Sequence, residues 1–166
     1  SYGCAMNFAD TEVVASVLMD NGFGATPSAE SADLIFINTC SIREKAEQTV
    51  RNRLTQFKSI KKHKPGLIVG VLGCMAERLK DDLKGDAPYV DFVIGTNDKQ
   101  RIVDILASPN GTYDEKEEKY TFSESYYREG EFSSYVPIMN GCNNFCSYCI
   151  VPYVRGREIS RDINDI

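Results

Sequence analysis

From Tyr2 to Leu106 short apolar runs alternate with amphipathic stretches. Leu34-Ile35-Phe36-Ile37 is continuously apolar, the pattern of a strand buried on both faces. Leu67 to Leu72 reads as a further strand and Val90-Asp91-Phe92-Val93-Ile94 as a shorter one, and Tyr2-Gly3 as the remnant of a first strand. Helical periodicity fills the intervals. Val13, Val14, Val17 and Leu18 mark one apolar stripe, and Ile42, Ala46, Val50, Leu54 and Phe57 a second. Ala76, Leu79 and Leu83 mark a third, and Ile102, Val103, Ile105 and Leu106 a fourth. Four strand–turn–helix units predict an α/β fold, an open parallel sheet with helices on its faces.

The helix boundaries have their own signals. Asp10 or Thr11 is expected near the start of the first helix, with Asn21-Gly22 as its left-handed C-terminal cap. Ser41-x-x-Glu44 and Asn97-x-x-Gln100 have capping-box spacing. After residue 107 the alternation fails. Pro109-Asn110-Gly111 and an acidic polar run read as an interdomain linker over 108–133. A second domain is expected over 134–166, with Tyr135 to Met139 as its first strand and Asp162 to Ile166 as the start of a helix. Residues 1–107 then form the first domain, and most of the second is missing from the chain.

Composition narrows the class. A 42% hydrophobic content supports a real core, and no run reaches the length of a membrane span. No secretory signal is expected, and the start at Ser1 suggests a numbering that begins inside a longer protein. A net charge of −5 argues against a uniformly basic nucleic-acid binder but permits a basic patch. Arg43 to Lys64 is such a stretch, readable as a contact for RNA phosphates or as the solvated face of a helix. Arg155, Arg157 and Arg161 form a denser cluster, either functional or ion-paired within the second domain, for instance with Glu158.

Six cysteines change the picture most. An α/β pattern of this size needs no disulfide stapling, so reduced, metal-binding thiols in the cytoplasm are expected. Cys142, Cys146 and Cys149 have C-x3-C-x2-C spacing on a polar turn. A tetrahedral zinc site wants a fourth ligand, and no Cys or His follows; the single histidine, His63, is far upstream. Three local thiolates with a vacancy suit an iron–sulfur cluster with one open iron, and ferredoxin spacing is different. Cys4, Cys40 and Cys74 lie about one strand–helix unit apart, each just past a predicted strand. In a parallel sheet those ends share one edge, where helix N-termini favour thiolates, so a second cluster is expected there. The competing reading of all six is ordinary buried cysteine.

Gly3-Cys4-Ala5-Met6-Asn7, Asn38-Thr39-Cys40-Ser41-Ile42-Arg43-Glu44 and Gly73-Cys74-Met75-Ala76-Glu77-Arg78 resemble the three cysteine motifs of the methylthiotransferase family of radical S-adenosylmethionine (SAM) enzymes. Met139 to Cys149, followed by Arg155-Gly156-Arg157, resembles that family's radical-SAM segment. Ala5 stands where many members carry Gln, which leaves the thiols untouched. The resemblance implies a 4Fe–4S cluster on Cys142, Cys146 and Cys149 that binds and cleaves SAM, with Tyr148 near the adenine. It implies an auxiliary 4Fe–4S cluster on Cys4, Cys40 and Cys74 that carries the methylated sulfur. Tyr148 has an equal claim to be an aromatic filling the barrel mouth.

Thr39-Cys40-Ser41-Ile42-Arg43-Glu44 is most similar to the branch that makes the 2-methylthio derivative of N6-isopentenyladenosine beside the tRNA anticodon. Sister branches act on threonylcarbamoyladenosine in tRNA or on a ribosomal-protein aspartate. The implied partners are tRNA, SAM and an electron donor such as a flavodoxin or ferredoxin, with no membrane. A non-catalytic iron–sulfur or zinc module is the reading from another class.

Overall fold

The computed structural model describes residues 1–42, 44–108, 120–122 and 135–166. Its centre is a parallel sheet of three strands, β1 (Leu34–Thr39), β2 (Ile68–Gly73) and β3 (Phe92–Ile94), in that spatial order. β1 and β2 run in register from Leu34 opposite Ile68 to Thr39 opposite Gly73. The expected first strand reduces to one parallel bridge, Tyr2 to Thr39, held by the Tyr2 N–H donating to the Asn38 carbonyl at 3.0 Å. One residue pair cannot build a ladder, so among the described residues the sheet has three strands rather than four.

Alternation along β2 divides the core. Val69 and Val71 face a cluster with Val50 and Leu54 of α2 (Glu44–His63), Met75 and Ala76 of α3 (Cys74–Arg78) and Leu83 of α4 (Lys80–Asp86). Ile68 and Leu72 face the opposite cluster, with Val14, Val17 and Leu18 of α1 (Ala5–Asp20) and Ile102 and Ile105 of α5 (Ile102–Ala107). A continuous apolar run is required because both faces of the strand are covered. Ile42, expected on the α2 stripe, precedes the helix and is exposed.

Several boundaries differ from the sequence expectation. α1 starts at Ala5 with Cys4 as its N-cap, so Asp10 and Thr11 fall inside the helix. The signal was obscured because Cys4 is not a usual capping residue; the Asn7 side-chain oxygen instead accepts from the Cys4 N–H at 3.2 Å. The C-terminus behaves as expected, with the Gly22 and Phe23 N–H groups donating to the Met19 and Leu18 carbonyls. The helix after Cys74 breaks at Leu79 into α3 and α4. Asn97 and Gln100 form no box, because the chain enters α5 through a 3-10 turn (Lys99–Arg101) capped at Asp98, and the Gln100 amide engages Thr121. For Ser41-x-x-Glu44 the Glu44 side chain lies outside the described residues, while the Ser41 hydroxyl donates to Glu47 at 3.3 Å.

The acidic linker falls almost entirely outside the described residues. Beyond it, Tyr135 to Ile138 is not a strand. Pairing is confined to β4 (Met139–Asn140), antiparallel to β5 (Ile159–Ser160), with α6 (Val151–Val154) between them. Pro137 lacks the N–H that a longer ladder would use, and Tyr135 instead stacks on Phe8 with ring centroids 6.1 Å apart. The chain ends in a 3-10 turn, Ile163–Asp165, rather than an α-helix. No helix of the described residues is long and apolar enough to cross a membrane.

Candidate metal-cluster site

Each of the three dispersed cysteines sits where a parallel strand or bridge hands over to a helix. Cys4 is two residues past Tyr2, Cys40 follows the last residue of β1, and Cys74 follows the last residue of β2. Because Tyr2 pairs with Thr39 and Thr39 with Gly73, the in-register sheet carries these thiols to one rim. Cys40 and Cys74 are buried, and Cys4 is half-buried. A Cβ placed on Gly3 would lie 2.7 Å from the Cys40 Cβ, so the first two segments nearly touch.

An amide network holds this rim from below. The Asn7 side-chain N–H donates to the Asn38 side-chain oxygen at 3.0 Å and to the Thr39 carbonyl at 2.9 Å. Asn38 returns a hydrogen bond to the Asn7 carbonyl at 2.8 Å and donates to Thr11 Oγ1 at 3.0 Å. Thr39 Oγ1 donates to the Leu72 carbonyl at 2.8 Å, tying the second motif to the strand that ends at Cys74. Buried amides left unpaired would be costly, so a fully partnered pair specifies this arrangement. Gly73 reaches φ +92°, and a side chain there would meet the Thr39 carbonyl at 2.6 Å. Only glycine fits before Cys74.

The other three cysteines occupy the loop between β4 and α6. Cys142 N–H donates to the Gly156 carbonyl at 3.2 Å, and Cys149 N–H to the Cys146 carbonyl at 2.9 Å. Between them Phe145 takes the left-handed conformation, φ +47°. Its ring packs edge-on against Tyr153, with centroids 6.0 Å apart, and lies 4.1 Å beneath the Arg157 guanidinium, contacts that offset the backbone strain. Cys146 is exposed and Cys142 and Cys149 are half-buried, so the thiols line an open turn. Tyr148 projects from the same turn and is 90% exposed.

All six thiols are free. Among the described residues no three His, Cys, Asp or Glu side chains converge on a single metal ion. The donor chemistry fits an iron–sulfur cluster, in which each thiolate binds a different iron: both sets are soft sulfur with no imidazole or carboxylate among them.

What the sequence reading missed is the carboxylate joining the two sets. Asp10, buried on α1, forms an ion pair through Oδ1 with Lys99 and accepts from Arg155 at Oδ2, 2.7 Å away. Arg155 therefore pairs with a residue of the first helix rather than with Glu158. Its positive charge also acts on the Cys74 thiol. Burial pushes the Cys74 thiol pKa up, against the pull of Arg155. Burial works against the Arg155 charge, but Asp10 and Cys74 outweigh it and raise its pKa. A helix N-cap pattern at Asp10 masked the signal; an i, i+6 spacing from Cys4 gives no local hint.

Part of the basic stretch from Arg43 to Lys64 is ion-paired within the fold. Arg51 bonds Asp86, Lys61 bonds Asp91 and Lys64 bonds Asp33, while Arg53 donates to the Tyr2 hydroxyl at 3.0 Å. Lys58 lies over the Tyr89 ring, 5.5 Å from its centroid.

A family model described as "Uncharacterized protein family UPF0004" matches residues 1–95. The chain is 48% identical over 169 residues to a tRNA-2-methylthio-N(6)-dimethylallyladenosine synthase of Amoebophilus asiaticus, covering 98% of this chain and 35% of that protein. It is 47% identical over 173 residues to proteins of the same name from Christiangramia forsetii and Bacteroides fragilis, covering 100% of this chain and 36% and 38% of those proteins. The chain thus spans little more than a third of the curated relatives it matches.

Proposed function

Because the chain belongs to the UPF0004 family, we propose that it is the N-terminal part of a tRNA methylthiotransferase, one that converts N6-isopentenyladenosine beside the anticodon to its 2-methylthio form. The observation that carries the reading is the near-complete coverage of this chain by relatives bearing that activity in their name, across both cysteine sets. Residues 134–166 are then the opening of a radical-SAM barrel, and the protein works in the cytoplasm with SAM, tRNA and a flavodoxin or ferredoxin as partners.

Cys4, Cys40 and Cys74 hold the auxiliary 4Fe–4S cluster, and Cys142, Cys146 and Cys149 the cluster at which SAM binds. When bound, the two groups supply respectively a site for the methylated sulfur and the electron for reductive SAM cleavage. The residues of this chain do the rest. The Asn7–Asn38 network fixes the first rim, the bent Phe145 backbone curls the second loop, and Tyr148 stands free to pack against the SAM adenine.

Nucleoside analysis of tRNA from cells lacking the gene tests the proposal. Isopentenylated adenosine accumulates and its 2-methylthio form disappears. Loss of a threonylcarbamoyladenosine or ribosomal-protein methylthio group, with this nucleoside intact, places the chain in a sister branch. Anaerobic iron and sulfide analysis separates the non-catalytic zinc alternative: two clusters give about eight irons per full-length chain, zinc gives none.

A further inference from the structure

The cluster assignments say nothing about what sets the distance and orientation between the two thiol sets. We infer that Asp10 is a positioning residue: shared between Lys99 of the α/β unit and Arg155 beyond the second cysteine loop, its buried carboxylate locks the two thiol-bearing segments together. The inference rests on the two-cluster reading for its functional consequence, but not for its geometry.

Three observations carry it. Asp10, Lys99 and Arg155 are 4%, 4% and 6% exposed, so these charges were taken out of water, a heavy desolvation cost unless each is paired. Each carboxylate oxygen serves a different segment: Oδ1 takes Lys99, and Oδ2 takes Arg155. Arg155 is itself fixed within the cysteine-loop segment, donating to the Asn140 side chain at 3.3 Å while Asn140 donates to the Arg155 carbonyl at 3.0 Å. Neighbouring contacts follow the same seam. Thr96 Oγ1 donates to the Val154 carbonyl at 2.7 Å, and Lys99 is closed off by Tyr120, whose hydroxyl lies 3.3 Å from Nζ.

Asn140 and Arg155 bracket the loop that holds Cys142, Cys146 and Cys149. Asp10 lies on the helix capped by Cys4, and Asn7 of the same helix holds Asn38 and Thr39, directly before Cys40. A displacement at this carboxylate is therefore passed to both sets, and a small misplacement of reacting groups is costly to a reaction that uses both.

The test uses Arg155→Met, which releases the loop segment while leaving Asp10 paired with Lys99, beside Arg155→Lys and Asp10→Asn. In the reduced 166-residue chain, hydrogen exchange of amides 139–160 should rise by about tenfold or more in R155M, with β1 and β2 amides unchanged. In the reconstituted full-length protein, methylthiolated product per 5′-deoxyadenosine released should fall by about fivefold or more, with R155K recovering part of the loss. Unchanged exchange in 139–160, or an equal rise throughout the sheet, overturns the inference. So does an unchanged product ratio in a protein that holds both clusters. The exchange measurement needs no cluster, so a protein without iron sinks the two-cluster reading and leaves the seam separately tested.

Discussion

The two cysteine sets are assembled by opposite routes. Cys142, Cys146 and Cys149 are neighbours in sequence, carried on one short turn that is open to solvent. Cys4, Cys40 and Cys74 are far apart and are joined only because three parallel segments end in register. The first set depends on local backbone geometry, notably the left-handed Phe145. The second depends on the hydrophobic core, since Met75 and Ala76, directly after Cys74, are wholly buried against β2 and α2. A site built on a sheet edge inherits the cooperativity of the fold, whereas a site built on a loop can loosen alone.

The largest effect expected from breaking this comparison is on metal content. In the full-length protein, replacing Cys4, Cys40 and Cys74 together by Ala should remove about half the iron and leave reductive SAM cleavage working. Replacing Cys142, Cys146 and Cys149 should remove the other half and abolish cleavage. Iron analysis and 5′-deoxyadenosine release measure both, and a reversed pattern would overturn the division of labour.

Next in size is the dependence of the dispersed set on the core. Met75→Ala empties a fully buried site and should destabilise the chain by about 2–5 kcal/mol, read from denaturant unfolding. A loss under about 1 kcal/mol would mean that the rim does not rest on this packing.

A matched pair of glycines sharpens the contrast further. Gly73 and Gly141 both precede a cysteine, both have positive φ, and both face backbone where a Cβ would stand. Gly73→Ala and Gly141→Ala should each cost about 1–3 kcal/mol of local strain. The readouts should differ: G73A lowers the global unfolding midpoint, while G141A mainly speeds hydrogen exchange in residues 139–160. Identical global effects would show the loop and the sheet to be one cooperative unit.

The smallest effect is at Tyr148. With 90% of its surface exposed, Tyr148→Ala should change stability by no more than about 0.5 kcal/mol. In the full-length protein it should weaken SAM binding, measured by calorimetry, and unaltered affinity would remove Tyr148 from the SAM pocket.

The sequence by itself determined the α/β class, a parallel sheet with helices on its faces and the positions of the six cysteines along the chain. These follow from period and spacing, which are local or repeat at a regular interval. Tertiary structure alone decided that Tyr2 is a single bridge, that β4 pairs antiparallel with β5, and that α1 begins at a cysteine cap. It alone decided that Arg155 seeks Asp10 rather than its neighbour Glu158. Glu158 is exposed to water, which screens its charge, whereas Asp10 is buried beside a lysine in a low-dielectric seam that strengthens the attraction. Burial of that kind is a property of three dimensions, and no spacing along the chain encodes it.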